Sequence, residues 1–300
     1  MKLKIHDLIY DTNVIHPRDE PLHMTDPLVS AIITTKNRSG MLPRALVSVR
    51  NQSYPNIEIV IVDDGSTDLT PKVIEDFEYE NRLIHLRNEE SLGACRARNQ
   101  GIAASSGTFI AGLDDDDEWH PDRIKFLVDA YSDEFACITS DVRLAYPKRT
   151  VQWSKEKVIT FNDLLYSNQV GNQVLVKKER LEKIGGFDEN LEAAQDYDLW
   201  LRLAETFGPI KNVNKPLQTI HLDHEAEQIT NPKSQLAGYL EFYKKHKAKM
   251  NLTQRKYQLF QIRRAQGKVT SFWEIFRWVP HSFWLNEAKR YLAKGFLKND

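Results

Sequence analysis

The sequence predicts an α/β domain, a parallel sheet with helices on both faces, followed by a helical C-terminal appendage. Three observations predict it. Short apolar, β-branched runs alternate with helix-periodic segments between residues 29 and 113. Several of these runs end in polar or acidic residues, at Thr35, Asp63 and Asp114 to Asp116, and ligands in such sheets bind beyond the carboxyl ends of the strands. From about residue 231 the composition turns basic and aromatic.

A chain of 300 residues with 41% hydrophobic content can bury a full core, and one large domain plus an appendage is the natural division. Residues 1–26 read as a polar extension, 27–230 as the main domain and 231–300 as the appendage. The net charge of -1 conceals an asymmetry: residues 231–300 hold 15 Lys/Arg against 4 Asp/Glu, so the tail is basic and the body acidic. Two cysteines, Cys95 and Cys137, leave no disulfide framework and no Cys-based zinc spacing, and they suit a reducing cytosol as small buried residues. Lys2, Lys4, His6 and Asp7 interrupt any N-terminal apolar run, and no stretch approaches the roughly 18 apolar residues a spanning helix needs, so a cytoplasmic protein is expected.

The elements follow in order. Residues 29–35 have the length and branching of a buried strand, and residues 41–51 place Leu42, Ala45, Leu46 and Val49 on one helical face. The run 57–62 leads into Asp63-Asp64-Gly65-Ser66-Thr67-Asp68, after which Thr70 and Pro71 open a helix expected to reach about residue 80. A strand at 83–86, an Arg-bearing helix at 91–104 and a strand at 109–113 complete the alternation. Residues 170–176 read as a strand and 178–184 as a helix stopped by Gly185-Gly186. Leu199, Leu203 and Phe207 then share a helical face, with Asp196 at its N-terminal end, where an acidic residue complements the helix dipole.

The four consecutive aspartates Asp114 to Asp117 concentrate negative charge at a strand end, where like charges raise one another's pKa. A hard divalent ion, basic partners or full solvation would each account for them; Mg2+ and Mn2+ favour carboxylate oxygens. Alternation in extended backbone points Asp114 and Asp116 to one side and Asp115 to the other.

Ile33-Thr-Thr-Lys-Asn-Arg38, Ile61-Val-Asp-Asp-Gly-Ser-Thr-Asp68, Gly93-Ala-Cys-Arg-Ala-Arg-Asn-Gln-Gly101 and Leu113-Asp-Asp-Asp-Asp-Glu-Trp-His-Pro121, in that order, resemble successive signatures of the family 2 inverting glycosyltransferases with a GT-A fold. The resemblance spans about residues 27–224. It implies transfer of a sugar from a nucleoside diphosphate sugar, expected to be a UDP-sugar, to an acceptor hydroxyl on a saccharide or lipid-linked saccharide, with Mn2+ or Mg2+ as cofactor. By the same resemblance Asp116 is the metal ligand, Asp114 reaches the ribose or the metal, Thr35 and Asp63 recognise the base, and Arg98 helps hold the nucleotide. Asp115 joins the nucleotide-sugar set, with Asp115 and Asp117 expected to orient their neighbours or to be solvated.

The segment Glu192-Ala-Ala-Gln-Asp-Tyr-Asp198 resembles the family's Glu-Asp motif, whose Asp is the general base; Gln195 replaces the Glu, and Asp196 takes the base's place. An acceptor hydroxyl is a poor nucleophile at neutral pH, so a carboxylate within reach of its proton is what single displacement requires. Asp198 is expected to orient Asp196 or to cap the helix. His221-Leu-Asp-His224 stands where similar enzymes carry Tyr-Arg-x-His, which makes His224 a metal-site candidate, while Leu222 removes a cation from the diphosphate.

In the tail, Tyr239, Phe242, Tyr243, Tyr257 and Ile262 suggest helices with Lys- and Arg-rich outer faces, and residues 271–296 set aromatics opposite cations. That pattern suits an anionic membrane surface, packing on the main domain or self-association; no nucleic-acid fold accompanies the basic charge. The expected function is thus a metal-dependent inverting glycosyltransferase of surface polysaccharide or glycolipid synthesis. The alternatives are a catalytically silent nucleotide-sugar module and a sugar nucleotidyltransferase, the latter lacking the Gly-rich loop it would need after the first strand.

Overall fold

The computed structural model describes residues 26–77, 79, 81–222, 232–269, 271–285 and 287–289. Strand β1 (Val29–Thr35) is buried along nearly its whole length, as its unbroken apolar run requires. It pairs in parallel with β2 (Ile57–Asp63) on one side and β4 (Phe109–Asp114) on the other, and β2 pairs in parallel with β3 (Leu83–Arg87). The register sets Thr35 beside Asp63 and Thr34 beside Asp114, so the polar strand ends lie level along one rim.

The helices between these strands cover both faces. On one face α1 (Leu42–Arg50) buries Leu42, Ala45, Leu46 and Val49 against Ile33, Ile59 and Ile61. On the other, α3 (Ala94–Ala104) lies directly on β1 and β2. That approach is close enough for a Cβ at Gly101 to come within 2.6 Å of Ile32 Cγ2, so a glycine there lets the helix sit on the sheet. Arg98, one turn earlier on α3, is thereby brought over the rim.

Beyond β4 the sheet changes direction. It continues through β9 (Leu175–Lys177), β6 (Ile138–Tyr146), β10 (Ile210–His221) and β5 (Glu118–Trp119), with β7 (Arg149–Trp153) on β6 and β8 (Val158–Ile159) on β10. Strand β9 is antiparallel to both β4 and β6, so the ten-stranded sheet is mixed rather than wholly parallel. The strand expected at 170–176 is confined to its last residues, because Asn168 Oδ1 accepts from the N–H groups of Val170 and Gly171 and holds that stretch as a turn. Helix α2 (Thr70–Glu75) is shorter than expected. Asp68, not Thr70, accepts the Thr70 N–H, while Thr70 Oγ1 accepts from Arg38 N and ties α2 to the loop after β1.

Helices α4 (Arg123–Asp129), α5 (Phe161–Leu164) and α6 (Lys178–Lys183) complete the layers, and α7 (Gln195–Phe207) buries Leu199 and Leu203 as its periodicity required. The C-terminal helices α8 (Pro232–His246) and α9 (Leu252–Ala265) pack on this body. The Phe242 ring stacks on Tyr197 with centroids 3.7 Å apart, and Gln258 donates to the carbonyls of Leu165 and Tyr166. A short α10 (Glu274–Trp278) adds a small aromatic cluster around Tyr257, Phe260 and Ile275, leaving Trp273 and Leu285 exposed. No helix among the described residues is long and apolar enough to cross a membrane.

Candidate active site

Above the rim lies a cleft of about 650 Å³, and Thr35, Arg98, Asp114, Asp115, Asp116 and Asp196 all line it. Asp63 does not. It is fully buried one step behind the wall, with Oδ1 accepting from Ser66 N at 2.9 Å and Oδ2 left without a hydrogen bond, 3.6 Å from Arg87 Nε. Thr35 Oγ1 is likewise buried, beside the Asp115 carboxyl. Asp63 Oδ2 is thus a buried acceptor whose nearest cation stands only at ion-pair distance, whereas buried polar atoms are nearly always hydrogen-bonded.

Asp114 is held on both sides. Its Oδ1 accepts from Arg98 Nη2 at 3.1 Å and its Oδ2 from Asn172 Nδ2 at 2.6 Å. Arg98 also lies over the Phe187 ring, and the charges of Asp196 and Asp114 raise its pKa despite its burial. Asp116, its side chain 24% exposed, is with Asp114 one of the two open members of the cluster, and Arg38 Nη1 stands 3.5 Å from its Oδ2.

Asp115 and Asp117 correct the expectation of solvation. The chain turns after Asp114, closing an Asp117 N–H to Asp114 carbonyl bond at 3.1 Å, and tucks both side chains inside. Burial, reinforced by Asp116 and Asp114, pushes the Asp115 carboxyl up to about 7. Asp117 is likewise raised well above the usual carboxylate range by burial and the charges of Asp114 and Asp116, although three side-chain amides converge on its Oδ2: Asn172 and Gln173 at 3.1 Å and Gln218 at 3.2 Å. Motif reading missed these amides, which come from far along the chain with no local spacing to announce them. It also left Asp64 without a role. Despite its burial, bonds from Ser91, Leu92, Asn88 and Gly93 hold the Asp64 carboxyl below its usual range and fix the loop that leads into α3.

Asp196 stands at the first turn of α7, between the cleft and a small pocket lined by Ile32, Ile102, Leu199 and Trp200. Burial pushes its carboxyl up to about 6; Arg98 opposes the rise and Asp114 adds to it. Asp198, expected to orient Asp196 or cap the helix, does not cap it and makes its bonds to other partners. It is fully buried and bonded to Arg202 Nε, Lys245 Nζ and His246 Nε2, each at 2.7 Å, so it anchors α8. On the far wall Trp153 lies over the buried Lys155 ammonium, which burial and the Arg123 charge push down to about 7, with Asp141 opposing.

No group of three or more His, Cys, Asp or Glu placed to hold a metal occurs among the described residues, and His224 lies outside them. The oxygen donors present still suit a hard ion bound largely through a ligand's phosphates, because such ions need only one or two protein carboxylates. Burial first and the neighbouring charges of Asp114 and Asp116 second raise Asp115 and Asp117, and a cation at the open carboxylates would relieve the second part.

Comparison with known proteins decides the family. The family model described as Glycosyl transferase family 2 matches residues 30–188. The chain belongs to glycosyl transferase family 2. Within that family it is 34% identical over 261 residues to a protein of Escherichia coli strain K12 that bears the name colanic acid biosynthesis glycosyl transferase WcaA, covering 81% of this chain and 90% of that one. It is 28% identical over 193 residues to the chondroitin synthase of Escherichia coli, covering 63% of this chain but only 28% of the synthase. Among solved structures, the mannosyltransferase PcManGT of Pyrobaculum calidifontis, in complex with GDP-Man and Mn2+, matches with a TM-score of 0.61 at 16% identity over 91% of this chain and 81% of that one. The S. aureus TarS fragment 1-349, in complex with UDP-GlcNAc, matches with a TM-score of 0.59 at 19% identity over 86% and 79%. The protein is a glycosyltransferase with a GT-A fold.

Proposed function

We propose that this family 2 glycosyltransferase transfers a sugar from a nucleoside diphosphate sugar, a UDP-sugar, to an acceptor hydroxyl with inversion, by single displacement. The observation that carries the reading is the presence of Asp196, a carboxylate tuned to about 6, in the same cleft as Asp114 and Asp116, with Arg98 between. A base poised just below neutral pH is ionised when needed and still able to receive a proton.

In this reading Thr35 receives the pyrimidine at the cleft wall, and Asp63 supports that wall from behind by holding the Ser66 N–H. Asp114 reaches the ribose, Asp115 supports the nucleotide from beneath, and Arg98 stabilises the donor's negative charge. Asp116, with His224 as a further candidate, would hold Mn2+ or Mg2+, which when bound supplies charge neutralisation at the leaving diphosphate. Asp196 takes the acceptor proton as the new glycosidic bond forms on the face opposite the leaving group.

The acceptor is a saccharide or lipid-linked saccharide of surface polysaccharide synthesis, a placement supported by the likeness to WcaA. The work is assigned to the cytoplasmic side of the membrane, where the exposed Trp273 and Leu285 of the basic tail suit an anionic lipid surface. Retention of both Asp116 and Asp196 in one cleft disfavours a silent binding module.

The test is a thermal-shift screen of UDP-glucose, UDP-galactose, UDP-N-acetylglucosamine and GDP-mannose with and without Mn2+, followed by donor hydrolysis and transfer assays. Mn2+-dependent turnover of a UDP-sugar supports the reading. A folded protein that binds UDP yet turns over no donor on the panel rejects it.

A further inference from the structure

We propose that Gly238, on the C-terminal helix α8, is a positioning residue for Asp196: α8 is a clamp that holds the loop before α7 in the one conformation that aims the base. The inference rests on the assignment of Asp196 as base.

That loop is under constraint. Ala194, the residue that starts α7, has φ 57° and ψ 26°, a left-handed conformation that a non-glycine residue keeps only where its surroundings determine it. The carbonyl of Ala194 accepts from Asp198 N at 3.0 Å, the first bond of the helix, so Ala194 sets the direction of the turn that carries Asp196. Within the loop itself, Gln195, the cleft-lining position where the family motif has Glu, donates its side-chain amide back to the carbonyls of Leu191 and Glu192, at 3.3 and 2.9 Å.

The support comes from α8. At Gly238 the helix approaches so closely that an added Cβ would lie 2.9 Å from Ala193 Cβ, 3.1 Å from Ala193 C and 3.1 Å from Ala194 N. One turn on, Phe242 stacks on Tyr197. A further turn on, Lys245 Nζ bridges Asp188 Oδ2 at 2.6 Å and Asp198 Oδ1 at 2.7 Å, and the buried His246 bonds the same Asp198 oxygen. Positions 238, 242 and 245 to 246 form one helical face, and that face grips the segment 188–198 at its start, its strained middle and its end. No other element described here touches all three points. A helix serving only to cover apolar surface would not require a glycine against a strained backbone, nor a lysine and a buried histidine on the carboxylate two residues from the base.

The experiment uses the full chain, UDP as the binding probe and the most active donor of the panel. Gly238→Ala forces Ala193 and Ala194 to move. Displacement of a catalytic group by a fraction of an ångström to one ångström costs on the order of 10- to 100-fold in rate. The expected result is a kcat lowered by at least about tenfold, with the donor KM and the UDP Kd unchanged within about twofold. Adding Ala193→Gly removes the nearest atom and should restore part of kcat. Should Gly238→Ala fail to fold, Lys245→Gln, which adds no volume, carries the same test and is expected to lower kcat at least about threefold at constant UDP Kd. A folded Gly238→Ala with unchanged kcat overturns the proposal, as does a parallel loss of kcat and UDP affinity without rescue, or Lys245→Gln with unchanged kcat. Asp196→Asn separates the two ideas: full activity in that variant sinks the base assignment itself, whereas its inactivity beside a fully active Gly238→Ala sinks only the clamp.

Discussion

Replacing Asp196 by Asn should abolish transfer and at the same time make the protein more stable, by an amount that depends on pH. In the folded protein burial raises the Asp196 carboxyl from 3.8 to about 6. A raised folded-state value means that the protonated form favours folding. Its contribution is therefore complete below about pH 4 and is lost as pH rises through 6. About two pKa units at roughly 1.4 kcal/mol each give a ceiling of about 3 kcal/mol by pH 8, reduced by the cleft water that still reaches the carboxylate. Asn mimics the protonated carboxyl at every pH and escapes this loss. Urea melts of both proteins at pH 4.5 and pH 8 measure the difference. The variant's advantage should be small at pH 4.5 and reach on the order of 1 to 3 kcal/mol at pH 8, a Tm rise of several degrees. An advantage that fails to grow with pH, or a variant that is relatively less stable at pH 8, refutes the claim that Asp196 is held ionised at a cost to the fold.

The same ionisation should shape the rate. For wild type, kcat is expected to fall about tenfold between pH 7 and pH 5 as Asp196 takes up its proton, and a flat pH–rate profile across that range would contradict it. Because Arg98 opposes the rise in Asp196, Arg98→Met should move that acid limb to higher pH, as well as weaken UDP binding in calorimetry. Asp116→Ala should lose at least about 100-fold in Mn2+-dependent turnover, far more than Asp115→Ala; equal losses in a Mn2+ titration would argue against a division of labour in the cluster. Asn172→Ala removes a donor from both Asp114 and Asp117 and should destabilise the fold by about 1 to 3 kcal/mol in denaturant melts, with donor KM raised.

Much of the donor side was legible because Thr35, Asp63 and Asp114 each end a strand. Buried strands announce themselves by unbroken β-branched runs, and a parallel register then brings Thr35, Asp63 and Asp114 level without further information. Side chains whose place depends on a turn were less legible. Period-two alternation assigned Asp115 and Asp117 to directions, but the bond from Asp117 N to Asp114 O, which takes them out of water, leaves no trace in composition. Contacts between distant segments were illegible altogether. Asn172, Gln173 and Gln218 meet Asp117 across the sheet, and Asp198 meets Lys245 and His246 from another helix; each is an ordinary polar residue in its own stretch. The tail's basic, aromatic composition fitted several settings equally, and the stacking of Phe242 on Tyr197, with Lys245 and His246 on Asp198, distinguishes packing on the body for α8.

Strand β9 has a consequence for how the chain is made. During synthesis β4 emerges well before residues 175–177, so one edge of an apolar strand, Phe109-Ile-Ala-Gly-Leu, stands open as a row of unpaired amides and carbonyls until β9 arrives. Three residues close that edge on one side, and Leu175 among them meets β6 on the other. The nucleotide-binding half is consequently a poor unit to express by itself. A fragment ended after α4 presents this edge permanently and is expected to aggregate more readily than the intact chain. Separating the donor half for study therefore requires carrying β9 and α6 with it, for instance by circular permutation, rather than cutting at the end of the aspartate cluster.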